Sequence, residues 1–146
     1  MCIRDRIFAD VFGWFASGAP AAGGLLPLSP VRVLNTTNGT GAPKAAVGAH
    51  QTVKLSILGV GGVPASGVGA VVLNVMVYQP TAGGYLTVYP DGLGRPGTSS
   101  LNFAAGEQIP NLVITKVGAD GSVDFYNGSA GTVQIFADVF GWFSTA

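Results

Sequence analysis

Residues Ala70–Tyr89 read AVVLNVMVYQPTAGGYLTVY, and the alternation within them decides the fold. Successive side chains of a β-strand point to opposite sides of the sheet. Val71, Leu73, Val75 and Val77 therefore share one face, and Asn74, Met76 and Tyr78 share the other. After the Gly- and Pro-bearing connection the pattern resumes, with Leu86 and Val88 inward and Tyr85, Thr87 and Tyr89 on the opposite side. Two such strands read as an antiparallel sheet with one buried face.

Working outward, short runs rich in Val, Leu, Ile, Thr and aromatics recur, each closed by Gly, Pro, Asn or Asp. The pattern predicts about eight strands: Val31–Asn35, Thr52–Leu58, Ala70–Tyr78, Gly84–Tyr89, Ser100–Phe103, Leu112–Val117, Ser122–Asn127 and Thr132–Phe143. In the seventh, Val123 and Phe125 face inward, while Asp124 and Tyr126 face out beside the turn pair Asn127-Gly128. No window shows helical periodicity. The expected class is all-β, an antiparallel β-sandwich of about eight strands. The alternative, a β-trefoil, would need a threefold internal repeat of roughly 40 residues, and none is found.

The last strand departs from simple amphipathicity. Val133, Ile135, Ala137 and Val139 occupy one face, and Phe136, Phe140 and Trp142 line the other with Asp138 among them. Both faces favour burial, so the strand is either central or packs its aromatic face on a neighbouring repeat. A carboxylate in that setting needs a partner. Arg32 on the first strand is the candidate, with a solvent-exposed Asp138 as the alternative.

A second copy of this strand is present: Ile7–Phe15 and Ile135–Phe143 both read IFADVFGWF, 128 positions apart (135 minus 7). Verbatim repetition at that spacing is the mark of a tandem array with one small domain per period. Met1–Arg6 back-translates to transposase adaptor DNA, so residues 1–6 are read as a sequencing scar and set aside. Residues 7–15 are then the last strand of a truncated upstream repeat, 16–29 an Ala/Gly/Pro linker, 30–143 one complete repeat and 144–146 a tail.

Composition narrows the function classes. The 146 residues are 48% apolar, ample for one core, yet only 10% charged against about 25% in an ordinary soluble domain. Net charge is zero, so there is no electrostatic footprint for nucleic acid. Gly, Pro, Asn or a charge interrupts every apolar run well short of the roughly 20 residues of a membrane span. Cys2, the only cysteine, lies within the scar.

The runs Pro30–Thr36 (PVRVLNT), Gly59–Gly92 and Ser99–Phe143 resemble the tandem β modules of actinobacterial secreted and cell-surface proteins, which often stand beside amidase or protease domains. The resemblance covers essentially everything after the linker. It implies a secreted or cell-surface setting, with any signal peptide upstream, and neighbouring repeats of the same chain as partners. Members open with Leu-Asp-Thr-Arg, whereas this chain has Leu34-Asn35-Thr36-Thr37.

The residue inventory argues against catalysis. Nucleophilic chemistry needs a base beside the nucleophile and a group to orient it. The single histidine, His50, reads as a solvated strand-end residue, and no Gly-x-Ser-x-Gly elbow occurs. Asp91 and Asp120 each precede Gly and read as turn residues; Glu107, Asp124 and Asp138 complete the carboxylates of the repeat. Neither a zinc ligand set nor an Asp-x-Asp-x-Asp-Gly calcium series is present, so no metal or other cofactor is expected.

Two functions remain. In the first, a cell-wall or other polysaccharide, peptidoglycan included, stacks on exposed Tyr85, Tyr89 and Tyr126, with Thr87, Asp91, Asp124 and Asn127 bonding its hydroxyls. In the second, the module is a structural spacer or adhesive stalk and the tyrosines are cross-strand pairs. An exposed flat strip of Tyr85 and Tyr89 favours the binder; a loop over them favours the spacer.

Overall fold

The computed structural model describes residues 23–145. The expectations for residues 1–6, 7–15 and 16–22, and for Ala146, lie outside the described residues. Eight strands form: β1 (Leu25–Asn35), β2 (Thr52–Ser56), β3 (Val68–Tyr78), β4 (Gly84–Pro90), β5 (Leu101–Phe103), β6 (Ile109–Lys116), β7 (Ser122–Asn127) and β8 (Gln134–Ser144). They make two antiparallel sheets of four, ordered β1-β8-β3-β6 and β2-β7-β4-β5. This β-sandwich has the strand order of a jelly roll. Successive strands mostly cross from one sheet to the other, so the two inner faces converge on one core.

That core is the set of positions the alternation assigns to it. Val71, Leu73, Val75 and Val77 from β3, Leu86 from β4, Val123 and Phe125 from β7, and Ile135, Ala137 and Val139 from β8 are all fully buried. Phe125 is the largest of the fully buried side chains.

β1 begins at Leu25, inside the stretch read as linker, and Leu25, Leu26 and Pro27 pair with Phe143, Trp142 and Gly141. Pro27 and Pro30 argue for a break by composition, yet β1 is an edge strand with a register shift between Pro27 and Val31, where a missing N–H is tolerated. The pairing puts the first residue of β1 opposite the end of β8. The two ends of the described fold thus lie side by side at one end of the same sheet.

β8 lies between β1 and β3. Its ion pair is the expected one: Arg32 and Asp138 are register partners, Arg32 Nη2 donates to Asp138 Oδ2 at 3.0 Å, and Arg32 Nε donates to Oδ1. The Arg32 guanidinium also lies 4.8 Å from the centre of the Phe136 ring. One face assignment is corrected. Val139 pairs with Leu73 but Gly141 pairs with Val72, so Phe140 is an extra residue, a bulge. Beyond it the alternation inverts, and Trp142 pairs with inward Val71 and packs against the core instead of lining the outer face with Phe136.

Candidate functional site

The tyrosine-bearing face is the outer side of the second sheet. Thr52, Tyr126 and Thr87 form one cross-strand row, Lys54, Asp124 and Tyr89 the next, and Tyr85 pairs with Asn102. The expected neighbours are therefore brought together, but not as an open strip.

The connection from Asp91 to Ser100 folds back on the sheet. Thr87 Oγ1 donates to the Thr98 carbonyl at 2.9 Å, the Ser100 amide donates to the Leu86 carbonyl at 2.7 Å, and the Val88 amide donates to Ser100 Oγ at 2.9 Å. Arg95, carried by this Gly- and Pro-rich loop, sets its guanidinium 4.4 Å from the centre of the Tyr126 ring. Thr87 is left 1% exposed and Tyr89 9%. Tyr85 is half-buried against Gly128, where a Cβ would overlap its ring, and its centroid is 6.3 Å from that of Tyr126. Contrary to expectation, Thr87 and Tyr89 are not available to a ligand.

Asn127 is a second correction. It is fully buried, and its amide nitrogen donates to the carbonyls of Val47, Gly48 and Gly131 at 3.1, 2.9 and 2.8 Å. Its Oδ1 accepts from the amide and hydroxyl of Ser129 at 3.0 and 2.7 Å. Both donors and the acceptor are occupied, so this side chain ties the β7–β8 turn to the 47–48 segment and has no capacity left for a sugar hydroxyl.

The acidic residues serve a clamp. Lys54 Nζ donates to Asp91 Oδ2 at 2.9 Å and also pairs with Asp120, which caps its own turn by accepting the Ser122 amide at 3.0 Å. Hydrogen bonding to Asp120, then to Asp91, raises the Lys54 pKa, and the bond from Lys54 lowers that of Asp120. Asp124 moves the other way: burial first, then the charge of Asp91, pushes its pKa up. A carboxyl whose pKa is raised by folding contributes most stability below its unfolded value and loses it as pH rises through the folded one. Asp124→Asn is therefore expected to melt higher than the parent at pH 7, with the gain shrinking toward pH 3. Thermal unfolding at both values measures it; a lower melting point at pH 7 would refute it.

Sequence reasoning overlooked two neighbours of Tyr126. His50 sits in a turn with φ 56° and its Nδ1 lies 3.3 Å from the Tyr126 hydroxyl, with the rings stacked. Arg95 was detectable only as the one cation in a loop of Gly and Pro. Nearby, a groove of about 420 Å³ runs along β2, lined by Ala45, Ala46, Val47, Thr52 and Val53. It collects none of the expected ligand residues. Among the described residues no group of three or more His, Cys, Asp or Glu side chains is placed to hold a metal ion.

Fold and site together define a jelly-roll β-sandwich whose polar face is largely closed by its own loop. Neither models of protein families nor curated proteins yield a match to this chain.

Proposed function

We propose that the chain is a non-catalytic structural module of a repeat protein, a spacer or adhesive stalk unit acting outside the cell. The observation that supports this most is the closure of the tyrosine face. On that face Thr87 and Tyr89 are buried and the Thr87 hydroxyl is already hydrogen-bonded within the protein, while Asn127, paired with Leu86 on the inner side, is buried with its amide bonded to backbone carbonyls. The verbatim nonapeptide at Ile7–Phe15 supports the repeat. The test is co-sedimentation of the full chain with insoluble peptidoglycan, chitin and cellulose, and the protein is expected to stay in the supernatant.

One observation favours the polysaccharide reading. Tyr126 remains half-exposed, with Tyr85, His50 and Arg95 about it, a small aromatic and polar patch of the kind that stacks on a sugar ring. Retention on one polymer that is lost in Tyr126→Ala, in a protein of unchanged melting temperature, would replace the spacer with a binder.

A further inference from the structure

We propose that the outer face of the β1-β8-β3-β6 sheet is a module-to-module interface, and that its occupant is a second copy of this same module. The inference rests on the structural-module reading and adds where the modules meet.

This face differs in kind from the loop-covered one. Leu112 and Ile114 on β6 are 61% and 59% exposed, and the bulge residue Phe140 is 37% exposed. β8 is an interior strand whose inner side is core, so exposed Phe140 belongs to the outer side. Phe136 and Met76 are register partners beside them and half-buried. Arg32 and Asp138 cancel one another toward the β1 edge, and Lys116 stands at one end opposite Ala70. Exposed apolar side chains gathered on one sheet face are the kind of surface that takes a partner. Four strands at about 4.8 Å spacing and about ten residues long give a face near 600 Å². Two such faces together bury about 1,200 Å², the lower bound for a specific interface.

The sequence indicates the occupant. Ile7–Phe15 repeats β8 residue for residue, so Phe8, Asp10 and Phe12 correspond to Phe136, Asp138 and Phe140. A second module with that sequence presents the same β8 residues, Phe, Asp and Phe, on this face, and a second copy of the whole module presents the whole face; like faces pair about a twofold axis. Chain geometry agrees. Leu25 lies opposite Phe143, and the Ser144 amide donates to the Gly24 carbonyl at 3.1 Å, so successive modules are joined end beside end at the border of this sheet. From Phe15 to Leu25 the chain spans at most about 35 Å. Consecutive modules are thereby held with like faces within reach of one another.

The experiment is sedimentation equilibrium of the full chain from 1 to 100 µM, with Leu112→Glu, Ile114→Glu and, on the other sheet, the exposed Asn102→Glu. The parent is expected to dimerise, each β6 variant to weaken the dimer at least about tenfold, and Asn102→Glu to leave it unchanged, with melting temperatures showing all four folded. Ile114→Lys, of opposite charge, should act as Ile114→Glu does. A monomeric parent, including one whose face is shielded by its own Ile7–Phe15 segment, overturns the inference. So does a dimer indifferent to the β6 variants or equally weakened by Asn102→Glu. Polymer co-sedimentation reads the structural-module proposal separately, so a monomer that ignores polymers removes the interface alone.

Discussion

Replacing Asn127 by Asp should destabilise the domain by about 4 kcal/mol or more, although the two side chains have the same shape. The amide nitrogen donates to three carbonyls, of Val47, Gly48 and Gly131, in a fully buried position. In the variant an oxygen stands where that nitrogen was, facing three acceptors with nothing to donate. A buried polar group left unsatisfied costs about 1–3 kcal/mol, and a buried unpaired charge about 3–5. For a domain of this size, 4 kcal/mol lowers the melting temperature by roughly 12–20 °C. The pH dependence identifies the cause. A carboxyl in this position has its pKa raised by folding, so the variant regains stability as pH falls, whereas Asn127→Ala should show a similar deficit at pH 7 and at pH 4. Thermal unfolding of both at the two pH values decides it; an Asp variant melting within a few degrees of the parent would show that the network contributes little.

Phe125→Ala should cost about 3–5 kcal/mol, the usual range for removing a fully buried aromatic. Phe125 has no exposed surface and lies in β7 between its register partners Val53 and Val88, at the middle of the second sheet's inner face. The cost combines lost transfer free energy with the cavity left behind. Phe125→Leu, which conserves most of the volume, should lose less than half as much. Urea unfolding tests this: the midpoint should fall while the slope stays the same, because the surface exposed on unfolding is nearly unchanged. An Ala variant no weaker than a surface substitution would place the packing centre elsewhere.

The two residues stand two positions apart on one strand, and they divide what is legible in a sequence from what is not. Phe125 announces its place, because period-two alternation with Val123 makes it inward in any sheet that buries one face. Asn127 does not, since Asn before Gly is the ordinary signature of an exposed turn. Its three acceptors come from backbone carbonyls, two of them 79 and 80 residues away in sequence. Backbone carbonyls carry no side-chain signal.

The same division runs through the face expected to bind a glycan. Alternation correctly set Tyr85, Thr87 and Tyr89 opposite the core, because the pleat is local. Whether that side meets water depended on the 91–100 connection, whose Gly and Pro content announces a loop but not its direction. Arg32 and Asp138 were matched from opposite ends of the chain by a charge argument, since a carboxylate among aromatics needs a cation and few are present. Trp142 was placed on the wrong face because one bulge residue, Phe140, inverts everything beyond it.

The sequence by itself determined the all-β class, the eight strands, the core side of each strand in which alternation is regular, and the repetition of β8. Those follow from interactions between residues close along the chain, or from identity between segments. Only the tertiary structure decided the jelly-roll order, the adjacency of the domain's two ends, the partial closure of the tyrosine face and the exposure of the other. Those depend on which strands meet and where loops lie, free energies set by contacts between residues far apart in sequence.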